Sequence, residues 1–119
     1  MTDQEIQEGN IILAEFMGFE KLKGGYNWDG FGWFHPLNMF FHKDWSWLMP
    51  VVEKIEQQDS DKPQFTVIIK DSYCEVQGVN GEGKFGHLFS RGWTSKIEAT
   101  YKCILVFIDW YNKKNSEQP

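Results

Sequence analysis

Two cysteines and three histidines are the residues of this 119-residue chain most able to do nucleophilic or metal chemistry. Cys74 lies in Tyr73–Gln77 and His87 in Lys84–Ser90, both of which read as strands. A thiol and a base on neighbouring strands are the first two members of a nucleophile–base pair. No orienting third group and no oxyanion donor can be named from the sequence, so Cys74 and Cys103 read as small buried hydrophobes. His35, His42 and His87 could share a metal with Asp71, Asp44 or Cys74. No two of them have the spacing of a metal-binding helix or finger, and they read as structural or solvent-facing. Asp59-Ser60-Asp61 opens like a calcium loop, but Lys62-Pro63 departs from the ligand pattern. Gly81-Glu82-Gly83-Lys84-Phe85-Gly86 has the spacing of a phosphate loop, which must follow a strand and open a helix. Here His87-Leu88-Phe89 reads as a strand and the other kinase motifs are missing, so the glycines mark a hairpin turn. No catalytic residue, metal or cofactor follows.

The remaining chemistry is aromatic. Twenty residues are aromatic, six of them Trp. Asp29-Gly30 is a strong two-residue hairpin signal. That turn sets Trp28 opposite Phe31 and Tyr26 opposite Trp33, and strand alternation puts all four rings on one face. Such a face can pack a core, hold a base or sugar, or dock a protein. Contiguous exposed apolar surface marks a contact site, and Tyr26, Trp28, Phe31 and Trp33 are therefore the candidate interaction residues, for a homodimer or a protein partner.

Three helices and a set of strands must position that hairpin. Thr2 to Met17 reads as a helix with Thr2 and Glu5 as a capping box. Its apolar face is Ile6, Leu13, Phe16 and Met17, Gly9 weakens its middle, and Gly18 ends it. Glu20 to Gly25 reads as a charged, glycine-rich connection. Pro36 ends the aromatic hairpin, and Leu37 to His42 reads as another short strand. A helix follows over 44–58, capped by Asp44 or Ser46, with Trp45, Leu48, Met49, Val52 and Ile55 as its stripe. Pro50 predicts a kink or tight turn at 44–49. Gln57 to Gln64 reads as a loop. Phe65–Lys70, Tyr73–Gln77 and Lys84–Ser90 predict an antiparallel meander joined at Asp71-Ser72 and at Asn80-Gly81 or Glu82-Gly83. Ser95 and Glu98 open the last helix. Its stripe is Ile97, Tyr101, Ile104, Leu105, Ile108 and Tyr111, widened by Phe107 and Trp110.

These elements predict one α+β domain over residues 1–119. An antiparallel sheet of three to five strands carries three helices on one face or both, and a polar tail frays from about residue 113. The net charge is −5 and Arg91 is the single arginine, which argues against a phosphate-binding surface and hence against nucleic acid. The acidic N-terminus shows no secretory pattern, and the longest apolar run, Ile104 to Ile108, is too short to span a bilayer. A reduced, cytoplasmic protein is expected.

Three segments share a wording: Asn10 to Gly18, Asp44 to Glu56, and Lys96 to Asn112. Trp45-x-x-Leu48-Met49-Pro50-Val51-Val52-Glu53-Lys54-Ile55, with Lys96-Ile97-Glu98-Ala99 and Phe107-Ile108-x-Trp110-Tyr111-Asn112, resembles small bacterial and prophage proteins grouped under a phage ABA sandwich domain. The resemblance covers about a third of the chain. It implies helices packed on a central sheet and a mobile-element origin, and supplies no activity. The aromatic insert at 26–41 is longer than that pattern. The leading expectation is a non-enzymatic accessory or protein-interaction protein. The alternatives are a small enzyme using Cys74, His87 or Asp71, and a nucleic-acid-associated module using Trp28, Phe31 and Trp33.

Overall fold

The computed structural model describes residues 1–57, 65–70, 73–78, 87–90 and 95–117. The expected loop after Gln57, Asp59-Ser60-Asp61, the turn at Asp71-Ser72 and the glycine-rich stretch 81–86 lie outside them. Helix α1 (Asp3–Phe16) starts at the expected capping box: Glu5 N–H donates to Thr2 Oγ1 at 3.1 Å and Thr2 N–H to Glu5 Oε1 at 3.3 Å. It ends in a Schellman turn, with Gly18 at φ +78°, Gly18 N–H donating to Glu15 O and Phe19 N–H to Ala14 O. Its fully buried residues are Gly9, Asn10, Leu13 and Ala14. Gly9 is thus no mere weak point. A Cβ there would stand 2.2 Å from the Tyr101 hydroxyl and 2.9 Å from Leu105 Cδ1, so the missing side chain lets two helices meet.

The expected connection at 20–25 is instead a strand and a tight turn. β1 (Glu20–Leu22), β2 (Gly25–Trp28) and β3 (Gly32–Phe34) form an antiparallel sheet in that order. Lys23 (φ +44°) and Gly24 (φ +78°) join the first two strands. Two successive positive φ values make a type I′ turn, whose twist matches its strands. After β3, the expected strand over 37–42 is also absent. Pro36 has no N–H for a ladder, and Pro36–Asn38 forms a 3-10 turn with His35 as its cap.

Helix α2 (Trp45–Glu56) is capped by Asp44, whose Oδ1 accepts from Ser46 N–H at 2.9 Å and Ser46 Oγ at 2.6 Å. No separate turn precedes Pro50: the α-helix is continuous from Trp45 through it, with Trp47 N–H closing the first turn on Asp44 O at 3.0 Å. Proline removes only the bond to the Ser46 carbonyl, which lies in an exposed first turn where water can take its place. The buried stripe is Leu48, Val51, Val52 and Ile55, while Met49 falls at its exposed edge.

β4 (Phe65–Lys70), β5 (Tyr73–Gly78) and β6 (His87–Ser90) form the expected antiparallel meander. The pairs Val67↔Val76 and Ile69↔Cys74 put Phe65, Cys74 and Val76, all buried, on one face. Helix α3 (Lys96–Glu117) lies across that face and α2 along its β4 edge. Thr66 and Lys70, on the opposite face, are exposed. At the free edge, Val67 N–H donates to Glu56 Oε2 at 3.0 Å, which occupies one donor of a strand that could otherwise template another. Helix α3 opens at Ser95, whose Oγ accepts from Glu98 N–H, and it runs to Glu117. Tyr101, Cys103, Ile104, Phe107 and Ile108 are fully buried along it. The three helices with two antiparallel sheets make an α+β fold.

Two stability predictions follow from this packing. Ile104→Ala or Ile108→Ala should each cost about 2–5 kcal/mol, lost burial plus a residual cavity; a urea midpoint near wild type would show the stripe misread. Gly9→Ala gains about 1 kcal/mol of helix propensity but overpacks the α1–α3 contact by roughly 1–3 kcal/mol. Chemical denaturation should therefore show net destabilisation, and a stabilised variant would mean that the contact yields freely.

Candidate interaction surface

The register of the β2–β3 hairpin decides where each candidate aromatic points. Trp28 pairs with Gly32, Asn27 with Trp33 and Tyr26 with Phe34. This is one residue off the register expected from a two-residue Asp29-Gly30 loop. Phe31 N–H donates to Trp28 O at 2.8 Å, and within that turn Gly30 alone has positive φ (+87°), which is a type II rather than a type I′ pattern. Gly32, at φ +109°, then enters the strand. Phe31 stays in the loop, and one residue of slip moves every following side chain to the other face. The expected single face of Tyr26, Trp28, Phe31 and Trp33 is therefore split.

Tyr26, Trp28 and Phe34 face inward. Tyr26 is 3% exposed and its hydroxyl donates to Glu15 Oε2 at 3.1 Å; burial, then that carboxylate, raises its pKa. Trp28 is the hub of a ring cluster. Its centroid lies 4.9 Å from Phe19, 4.5 Å from Phe31 and 4.8 Å, edge-on, from Trp47. Phe34 and Phe41 meet Trp47 edge-on from two further sides. Offset and edge-to-face pairs of this kind fasten the hairpin to α2. Trp28 is thus half core, and Trp28→Ser would disturb the fold rather than test a surface.

Phe31 and Trp33 remain at the surface, 67% and 50% exposed. Trp33 is nonetheless held. Its Nε1–H donates to Leu22 O at 2.9 Å, and the indole lies flat over Gly25, where a Cβ would come within 2.3–2.7 Å of Cζ2, Cε2 and Nε1. One ring face rests on backbone and the other meets solvent. Leu22, 41% exposed, and Lys23 flank the ring in a shallow cleft of about 580 Å³. A second cleft, of about 490 Å³, opens between the end of α1 and the hairpin, lined by Glu20, Asn27, Trp28 and Asp29 among others. No charge signal or spacing rule announces the Trp33 platform. The cue was Gly24-Gly25 beside a tryptophan strand, which leaves room for a ring over the backbone.

Among the described residues the candidates for nucleophilic or metal chemistry do not converge; Asp71 lies outside them. Cys74 pairs with Ser90, whereas His87 pairs with Gln77, three positions along the strand or about 10 Å away. Cys74 and Cys103 are both fully buried, neither is in a disulfide, and their thiols hydrogen-bond each other. That bond, then burial, pushes the Cys103 thiol up, while the same bond lowers Cys74, which is fully buried and has no base beside it among the described residues. His35 Nδ1 accepts from Leu37 N–H and caps the 3-10 turn. Asp44 is spent on Ser46, which holds its carboxyl below the usual range. Among the described residues no three of His, Cys, Asp or Glu are grouped to hold a metal ion, and no helix is long and apolar enough to cross a membrane. No protein-family model, curated protein or solved structure matches the chain.

His42 carries a pH prediction. Its Nδ1 is buried with no hydrogen-bond partner among the described residues, its ring stands edge-on to Tyr101 at 5.9 Å, and burial, then the Lys43 charge, lowers its pKa. The unfolded chain takes up this proton near pH 6.5 and the folded chain only at lower pH. Stability should therefore decline as pH falls below about 6.5. Urea midpoints at pH 7.5 and 5.5 should show a smaller decline in His42→Phe than in wild type. An equal decline in both would assign the effect elsewhere.

Proposed function

We propose that this chain is a non-enzymatic accessory protein that acts in the cytoplasm by association, through the exposed aromatic side of its hairpin. The carrying observation is the pair Phe31 and Trp33, 67% and 50% exposed in a hairpin whose Tyr26, Trp28 and Phe34 face inward. A fold that buries Tyr26 and packs Trp28 against Phe19, Phe41 and Trp47 leaves Trp33 and most of Phe31 in water. Leu22 and the Trp33 ring lie together on the outward face; contiguous exposed apolar surface marks a contact site, and Trp is among the residues that dominate interface energies. The ring at 33 is held in place before any partner arrives, which lowers the ordering cost of docking. Two free cysteines, both buried, suit a reducing compartment. A phage or prophage origin is supported by the wording of the three segments that resemble phage ABA sandwich proteins, which fall on α1, α2 and α3.

The test replaces Phe31 or Trp33 with a photo-crosslinking phenylalanine in cells that make the protein. Val106, 50% exposed on α3, is the control position. Adducts heavier than the 14.0 kDa chain should form from 31 and 33 and not from 106. No adduct from the hairpin, or equal yield from Val106, would remove the reading.

A further inference from the structure

The outward face of the β1–β3 sheet has an order of its own. The pairs Glu20↔Asn27 and Asn27↔Trp33 set a carboxylate, an amide and an indole in one row across the three strands. Leu22 and Gly25 form the next row, and the Trp33 ring lies over it. The two ends carry opposite charge. Glu20 and Asp29 line the cleft at one end, and Lys23 lines the cleft at the other. Glu20 opens β1 and Lys23 lies in the turn after it, roughly 10 Å along the chain, and no ion pair joins them. The ion pairs seen join other residues, Lys102 with Glu5 and Lys113 with Asp109. The charges at both ends of the face are thus unpaired within the described chain.

A face that is acidic at one end, basic at the other and flat and apolar between is complementary to itself turned end for end. We propose that the outward face of the hairpin sheet binds a second copy of this chain, with Lys23 of each copy against Glu20 and Asp29 of the other and the two Trp33 rings between them. The proposal rests on the association reading above and names its partner. The two-fold axis lies in the interface and runs across the strands, between the two rows. Rotation about it reverses strand direction but leaves β1 facing β1, so Lys23 of one copy meets Glu20 of the other. That is the reciprocity an isologous interface requires. Three short strands, spaced about 4.8 Å apart, offer a few hundred Å² at most. This is less than the roughly 800 Å² per partner of a stable complex, so the dimer forms weakly and with concentration.

Charge exchange tests the pairing. Sedimentation of the wild type across roughly 10–500 µM should show mass rising toward the dimer. Lys23→Glu alone and Glu20→Lys alone should each stay monomeric, since each sets like charges together, with melting temperatures near wild type because both positions are exposed. Mixing the two variants in equal amounts should restore a dimer, because one contact then keeps Lys23 against Glu20 and Asp29 and the other joins opposite charges at positions 23 and 20. Trp33→Ser should abolish association throughout. A wild type that remains monomeric at the highest concentration overturns the proposal, as does a mixture that stays monomeric while the wild type dimerises. Hairpin crosslinks of mass other than twice the chain, from a monomeric wild type, would overturn the second copy and leave the association reading standing. No hairpin crosslink of any mass would remove both.

Discussion

One buried side chain joins the parts of this fold that are farthest apart in sequence. Asn10 is fully buried on α1, and its amide donates to Pro36 O at 2.7 Å and Met39 O at 3.2 Å, while its Oδ1 accepts from the Tyr101 hydroxyl at 3.0 Å. Both amide protons and the carbonyl of the asparagine are thereby used. A buried amide left without partners costs about 1–3 kcal/mol, so α1, the 3-10 turn and α3 must arrive together. Gly9 supplies the space into which Tyr101 reaches. Lys102, one residue on, adds a bond to Glu5 at 3.3 Å on the exposed side.

The hairpin depends on that arrangement. The carbonyls held by Asn10 belong to the segment that leads out of β3, so the asparagine sets where the aromatic strands leave α1. From there Met39 and Phe41 turn inward to full burial, and Phe41 joins Trp47 and Phe19 in the ring cluster. Lys54 ties the same corner from α2, donating to Phe16 O and lying 4.9 Å over the Phe16 ring. The inner hairpin face is consumed by these contacts. Its outer face has no packing element behind it among the described residues, and there Trp33 is pressed flat against the strands.

Aromatic content alone could not tell these two faces apart. A ring that fills a second core and a ring that waits for a partner have the same side chain and the same local spacing. The deciding quantity is the loop length at 29–31, set by glycine conformations at 30 and 32. A three-residue loop places Trp33 beside Asn27; a two-residue loop would have turned it inward beside Tyr26. Of the four rings singled out by type, two therefore belong to the packed hub and two to the surface.

What the sequence by itself determined closes within about four residues, though not every such closure was legible. The caps at Thr2, Asp44 and Ser95, the Gly18 stop, the helical stripes with Ile104 and Ile108 at their centre, and the alternation of β4 and β5 are local hydrogen bonds and local periodicity, legible without the rest of the chain. The tertiary structure alone decided the rest. Burial of Asn10 and the close approach at Gly9 depend on Tyr101, 91 residues from Asn10. The continuity of α2 through Pro50 depends on Leu48, Val51, Val52 and Ile55 all finding the core. The side on which Trp33 lies depends on the conformations Gly30 and Gly32 take in the folded hairpin. Such contacts carry no mark in the residues that make them, because the same side chains are compatible with several partners until the chain is folded and the space around each is assigned.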